Sequence, residues 1–89
     1  MVERAIEVVN RLGLHARAAA KLVHLAGRFE SDVELVVEGD QVDAKSILGI
    51  LMLGAAQGTD LVVRCEGSDE DEALEAVCNL FADRFEEES

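Results

Sequence analysis

Residues 2–27 read VERAIEVVNRLGLHARAAAKLVHLAG, and the hydrophobic pattern changes within this stretch from strand spacing to helical spacing. Apolar and acidic side chains alternate over residues 2–9, which predicts a half-buried strand. A loop at residues 10–13 follows, and apolar residues then recur at helical spacing from about residue 16 to residue 27. The stretch therefore predicts a strand, a loop and an amphipathic helix, in that order.

Three further strands are predicted downstream, at residues 33–37, 41–44 and 60–66. Gly39-Asp40 predicts the hairpin turn between the first two of them. Ser46 precedes a short apolar helix at residues 47–53, which ends before Gly54.

The last predicted helix begins after Ser68, and Asp71 follows three residues later as the second member of a capping box. Its buried stripe is predicted to consist of Leu74, Val77, Phe81 and Phe85. The element order β-α-β-β-α-β-α predicts an α+β open-faced β-sandwich, with a four-stranded antiparallel sheet and three helices on one face. Residues 1–89 are expected to form a single domain.

Composition narrows the classes of function. An apolar share of 49% is enough for a core, and a net charge of −11 argues against nucleic acid as a partner. Cys65 and Cys78 form no CxxC motif and are expected to be reduced, buried hydrophobes. The amino-terminal sequence does not resemble a signal peptide, and the longest apolar run, residues 47–56, is too short for membrane insertion. We therefore expect a cytoplasmic protein.

The charge is segregated along the chain, because residues 8–29 and 44–59 contain no acid, whereas a carboxylate-rich tail covers residues 86–89. Four basic side chains recur at helical spacing in the first acid-free stretch and form a cationic stripe: Arg17, Lys21, His24 and Arg28. Either the acids simply collect on other solvated faces, or the stripe is a local site for a small anion or an acidic partner.

His15 lies between the loop around Gly13 and the predicted start of the first helix. Unpaired backbone amides and the helix dipole favour an anion there, and Arg17 is close enough to bind the same anion. A neutral imidazole is a competent nucleophile, so His15 is a candidate phosphoryl acceptor. The alternative is that His15 is only a polar residue at a helix start. His24, farther along the stripe, is expected to help recognise an acidic partner.

Two motifs resemble the HPr family, the histidine-containing phosphocarriers of the bacterial phosphotransferase system. Residues 13–20, GLHARAAA, resemble its active-site segment, and residues 45–53, KSILGILML, resemble its second signature around a regulatory serine. The resemblance covers the whole chain, including residues 57–59 and 66–70.

The resemblance implies that His15 accepts a phosphoryl group on Nδ1 from enzyme I, itself charged by phosphoenolpyruvate, and that Arg17 steadies the group. The phosphoryl group then passes to a histidine of an enzyme IIA protein. In many members a serine kinase/phosphorylase modifies the residue that corresponds to Ser46. Such a protein is a phosphocarrier, expected to be monomeric, and not an autonomous enzyme; no cofactor or metal is expected.

Ala18 is a departure from the family, which usually has proline at this position. Alanine keeps the backbone N–H that proline lacks, so the site either is less rigid or gains one donor for the phosphate. We expect altered transfer rates and a retained function.

The helix after Ser46 has almost no polar face. Ser46 is expected to cap it, and Ile50 and Leu53 are expected to point to the core. Four other apolar residues are then left as an exposed docking ridge beside Lys45: Ile47, Leu48, Leu51 and Met52. The alternative is that crowding under the sheet hides most of them.

Two other functions remain open. In the first, the phosphorylation state of Ser46 is the main output and His15 turnover is minor, as in a nitrogen-related branch of the phosphotransferase system. In the second, the domain only binds a small anion at the start of the helix near Ala16.

Overall fold

The computed structural model describes residues 1–87 and has the predicted order of strands and helices. Of the acidic tail, Glu88 and Ser89 lie outside the described residues. The strands and helices are β1 (Val2–Glu7), α1 (Ala16–Ala26), β2 (Asp32–Val37), β3 (Asp40–Asp43), α2 (Ile47–Leu53), β4 (Asp60–Glu66) and α3 (Glu70–Ala82), and a short 3₁₀ turn follows at Arg84–Glu86.

The four strands form one antiparallel sheet in the order β1-β4-β2-β3, which confirms the predicted open-faced sandwich. Alternation along β4 puts Leu61, Val63 and Cys65 in the core, under the helices. The intervening Arg64 lies on the other face, opposite Glu3 of β1 and Glu34 of β2. One face of the sheet is therefore packed and the other is polar.

The core lies between this sheet and the helices. α1 contributes buried Ala18, Ala19, Leu22 and Ala26, the apolar side of the predicted amphipathic helix. Cys65 and Cys78 are buried free thiols, as predicted, and burial raises the pKa of Cys65 to about 11. Among residues 1–87, no helix has the length and apolar character that a membrane span requires.

The β2–β3 hairpin turn lies one residue earlier than predicted. Val37 pairs with Asp40, so Glu38 and Gly39 are the two turn residues, with φ of 48° and 91°. Positive φ at both positions is typical of a type I′ turn, whose twist matches that of the strands. Asp40 therefore belongs to β3.

The predicted capping box at α3 is wrong. The residue before the helix is Asp69, and its carboxylate accepts hydrogen bonds from the Glu30 and Ser31 amides and from the Ser31 hydroxyl instead of capping α3. Ser68 is directed toward Glu30, with 3.4 Å between Oγ and Oε2. Of the predicted pair, Ser68 is thus turned to the segment after α1, and Asp69, which precedes the helix, bonds to the same segment.

Phe85 is buried as predicted, but it is not part of the last helix. α3 ends at Ala82, and Phe85 lies in the 3₁₀ turn, where its ring meets that of Phe81 edge-on with 4.8 Å between the ring centres. The turn after α3 therefore still contributes the Phe85 side chain to the core, next to Phe81.

Candidate functional site

The loop before α1 packs closely on the loop after α2. The Leu14 amide donates to the Ala55 carbonyl at 2.9 Å, and Gly13 has a φ of 66°. A Cβ atom on Gly13 would lie only 2.6 Å from the Ala55 oxygen. Gly13 is therefore required for backbone packing, and this packing fixes the position from which the next residues enter α1.

His15 is the N-cap of α1, at the end of the helix where the sequence predicts it. Its Nδ1 accepts a hydrogen bond from the Arg17 amide at 3.2 Å, and its carbonyl accepts the Ala19 amide at 2.8 Å. The side chain is 27% exposed. Within residues 1–87, the amides of Ala16 and Ala18 donate to no acceptor, so the helix start offers donors beside the imidazole.

Arg17 is exposed in the first turn of α1. Its guanidinium forms no hydrogen bond or ion pair with any other group in residues 1–87. Residues 15–18 thus combine a partly exposed imidazole with two backbone amides and a guanidinium that have no partner in the described part of the chain. Such a site is suited to an anionic group held on or next to His15.

Glu87 also belongs to the site, and sequence reasoning missed it. Its Oε2 lies 2.6 Å from His15 Nε2 and 3.2 Å from Asn10 Nδ2, and the side chain is 15% exposed. Asn10 is buried and also donates to the Gly13 carbonyl at 2.7 Å. The stretch that lacks acids in the sequence therefore receives a carboxylate from the far end of the chain.

Residues 84–87, here called the C-terminal strap, bring Glu87 to this position. Arg84, Phe85 and Glu86 have φ values of 56°, 54° and 64°, an unusual left-handed run without glycine. The Phe85 side chain is buried, and Lys21 Nζ donates to the Phe85 carbonyl at 2.7 Å. Core packing and this lysine hold the strap against α1.

The cationic stripe is only partly available to a partner. His24 and Arg28 are exposed, with 3.4 Å between the Arg28 guanidinium and His24 Nε2. Lys21 is half-buried under the strap and also lies 3.7 Å from Glu86. Lys45 is similarly half-buried, with its ammonium donating to the Phe29 carbonyl at 3.0 Å. Arg17 and Arg28 are thus the exposed arginines of the stripe.

α2 exposes the predicted docking ridge, formed by Ile47, Leu48, Leu51 and Met52, with Leu48 at 68% and Met52 at 77% exposure. Ile50 is fully buried and Leu53 is half-buried, as expected. Ser46 caps this helix as predicted, because its Oγ accepts the Gly49 amide at 3.1 Å. Across the described part of the chain, no three His, Cys, Asp or Glu side chains are grouped for a metal ion.

Comparison with known proteins agrees with this geometry. The family model "PTS HPr component phosphorylation site" matches residues 2–83. A phosphocarrier protein HPr of Cupriavidus necator is 49% identical over 87 residues, covering 98% of each chain, and a phosphocarrier protein NPr of Shewanella violacea is 41% identical over 88 residues, covering 99% of this chain and 97% of that protein.

The crystal structure of an HPr from Thermoanaerobacter tengcongensis superposes with a TM-score of 0.96 at 43% identity and covers 100% of both chains. Fold and sequence thus agree along the chain. This chain belongs to the HPr family, the phosphocarrier proteins of the phosphotransferase system, which are not autonomous enzymes.

Proposed function

We propose that this protein carries a phosphoryl group on Nδ1 of His15, receives it from enzyme I charged by phosphoenolpyruvate, and delivers it to a histidine of an enzyme IIA protein. One observation carries the proposal: the imidazole caps the start of α1, where its Nδ1 accepts the Arg17 amide and the neighbouring amides of Ala16 and Ala18 have no acceptor within residues 1–87. The product dianion would form where donors already point.

The Nδ1 lone pair is held by the Arg17 amide in the resting protein. For transfer, a small rotation of the ring frees this lone pair from the amide and directs it toward the phosphorus. The N–P bond then forms while the bond between the phosphorus and the donor's leaving atom breaks, and the leaving atom keeps the electron pair of the broken bond. The phosphoryl oxygens then take the place of Nδ1 as acceptors for the amides of residues 16–18. The Arg17 guanidinium neutralises part of the remaining charge.

Partner binding is assigned to the surface beside His15. The docking ridge supplies apolar area, and the exposed charges of the cationic stripe favour an acidic partner. Lys21, His24 and Lys45 are proposed to contribute to the same surface, Lys21 and Lys45 mainly through their charge, because their ammonium groups are held by backbone carbonyls. A monomer in the cytoplasm remains our prediction.

Ser46 is proposed as the regulatory site for a serine kinase/phosphorylase. Its hydroxyl caps α2 directly next to exposed Ile47 and Leu48. A phosphate at a helix start adds charge without disrupting the helix, so the fold would be retained. The added dianion would instead repel an acidic partner from the docking ridge.

One labelling experiment tests both assignments. Phosphoenolpyruvate and enzyme I should add one acid-labile phosphate to the parent protein and to His24→Ala, but none to His15→Ala. A serine kinase with ATP should add acid-stable phosphate that Ser46→Ala lacks. If His15→Ala is labelled like the parent, the carrier proposal fails; if only Ser46 is labelled, the regulatory alternative is correct.

A further inference from the structure

His15, Glu87 and Asn10 form a connected chain of hydrogen bonds, and its orientation follows from the donors. The Arg17 backbone amide can only donate, so His15 Nδ1 must be the acceptor and carries no proton in the neutral ring. The ring proton therefore lies on Nε2 and is donated to the Glu87 carboxylate at 2.6 Å. Asn10 Nδ2 donates to the same carboxylate oxygen.

The side-chain amide of Asn10 has only one orientation that suits its contacts. Its amide nitrogen donates to the Gly13 carbonyl and to Glu87, both of which are acceptors, and a flipped amide would place oxygen against oxygen at both contacts. In this orientation Asn10 Oδ1 is buried and has no partner within residues 1–87. The unsatisfied oxygen is destabilising, and it results from the same orientation in which Asn10 holds Glu87 against the imidazole.

We propose that Glu87 is a positioning residue for phosphoryl transfer, which holds the proton on Nε2 and stabilises the positive charge that develops on the His15 ring. The inference rests on the proposed role of His15 as the acceptor. Glu87 touches Nε2 and not the reacting Nδ1, an arrangement similar to that of a carboxylate behind a catalytic histidine.

The charge balance explains why a carboxylate helps. When the Nδ1 lone pair forms the N–P bond, the neutral ring becomes a phosphorylated imidazolium that keeps its Nε2 proton, and no proton leaves. The Glu87 carboxylate compensates this charge from the opposite side of the ring. When the N–P bond breaks toward the next acceptor, the electron pair returns to Nδ1 and the ring is again neutral.

Glu87 is held by contacts on both sides of the site. Buried Phe85 and the bond from Lys21 to its carbonyl fix the strap, and buried Asn10 orients the carboxylate from the loop. Glu86 provides a matched comparison, because its carboxylate is adjacent in sequence but is 3.7 Å from Lys21 and exposed. Glu86→Gln removes the same formal charge without touching the imidazole.

The test compares Glu87→Gln, Glu87→Ala and Glu86→Gln in the full-length protein. We expect the rate of phosphoryl uptake from enzyme I to fall about tenfold in Glu87→Gln and at least as much in Glu87→Ala, and to stay at the parental value in Glu86→Gln. Urea midpoints measured on the same samples show whether each variant is folded.

A spectroscopic readout separates positioning from stability. In ¹H–¹⁵N spectra of the imidazole at pH 8.5, the parent should show a downfield Nε2 proton protected from exchange, which Glu87→Ala loses and Glu86→Gln keeps. Unchanged uptake rates in folded Glu87→Gln, or an unchanged Nε2 proton in Glu87→Ala, would overturn the inference. A parent protein that takes no acid-labile phosphate would instead refute the proposed function, and the imidazole spectrum would still decide whether Glu87 holds the proton.

Discussion

Both ring nitrogens of His15 make structural contacts, since Nδ1 accepts the Arg17 amide in the first turn of α1 and Nε2 bonds to Glu87. Its geometry therefore depends on where the chain enters the helix. Gly13 sets this entry by allowing its loop to approach the Ala55 carbonyl. Gly13 thus affects the position of the imidazole through the backbone, without touching the ring.

Gly13→Ala should lower the free energy of unfolding by more than 2 kcal/mol. The left-handed backbone costs alanine about 1–2 kcal/mol, and its Cβ would also meet the Ala55 oxygen at 2.6 Å. Gly54→Ala is the matched control, because Gly54 has a similar φ of 62° but open space around it, and should show only the backbone cost. Urea unfolding measures the loss of stability in both variants. Equal losses would show that the close approach of Gly13 to the Ala55 carbonyl does not add to the backbone cost.

The location of His15 and Arg17 at the start of α1 was predictable, because a glycine loop followed by a helical repeat is a local pattern. The sequence did not predict Glu87, since that contact spans 72 positions and depends on three left-handed residues that contain no glycine. Nothing in the local pattern of residues 84–86 marks a reversal. A contact made by long-range packing leaves no signal at the residue scale.

At the scale of elements, the start of α3 is tied to the end of α1. Asp69 accepts hydrogen bonds from the Ser31 hydroxyl and from the Glu30 and Ser31 amides. Lys45 donates to the Phe29 carbonyl in the same segment. The segment between α1 and β2 is thus held by the sequences that flank α2 and α3. This bracing keeps the orientation of α1, and with it the site at its other end.

Asp69→Asn should reduce stability at pH 7 and weaken the acid dependence of stability. The Ser31 hydroxyl, together with the Glu30 amide, holds the pKa of Asp69 below its ordinary value of 3.8. A depressed pKa contributes stability that is present above about pH 4 and is lost as the pH falls through the lower folded value.

Urea midpoints of the parent and Asp69→Asn should therefore differ at pH 5 and converge as the pH falls below the ordinary carboxyl pKa. Asp71→Asn removes the same charge from an exposed position of α3 and is the control. Parallel pH profiles for the parent and Asp69→Asn would contradict this assignment.

Except at the end of α3, strands and helices were predictable to within one or two residues, because alternation and helical spacing reflect burial of one face. The α3 cap was not, since a serine or an aspartate can bond either to its own helix or to a neighbouring segment. Here Asp69 bonds to the neighbouring segment. Local rules decide which residues form an element, whereas packing decides how its ends are satisfied.

At the scale of the whole molecule, the cationic stripe of α1 is separate from a row of carboxylates on the outer face of the sheet. Strand register aligns Glu3, Arg64, Glu34 and Asp43 in one row across the outer face of the sheet, so carboxylates surround a single arginine. The exposed Arg17 and the docking ridge lie on the helical side. A protein with a net charge of −11 can thus present a locally cationic surface to a partner.

If a partner responds to this local surface and not to the net charge, two substitutions should behave differently. Arg28→Glu, on the exposed stripe, should slow phosphoryl uptake from enzyme I about threefold at low salt, with the deficit shrinking as salt screens the charges. Glu34→Lys changes the net charge by the same amount in the opposite direction, but on the outer face of the sheet, and should leave the rate unchanged. Stopped-flow rates of both variants at two salt concentrations test this. If Glu34→Lys speeds uptake by as much as Arg28→Glu slows it, the encounter depends on the total charge of the protein, because only a long-range field acts equally from both faces.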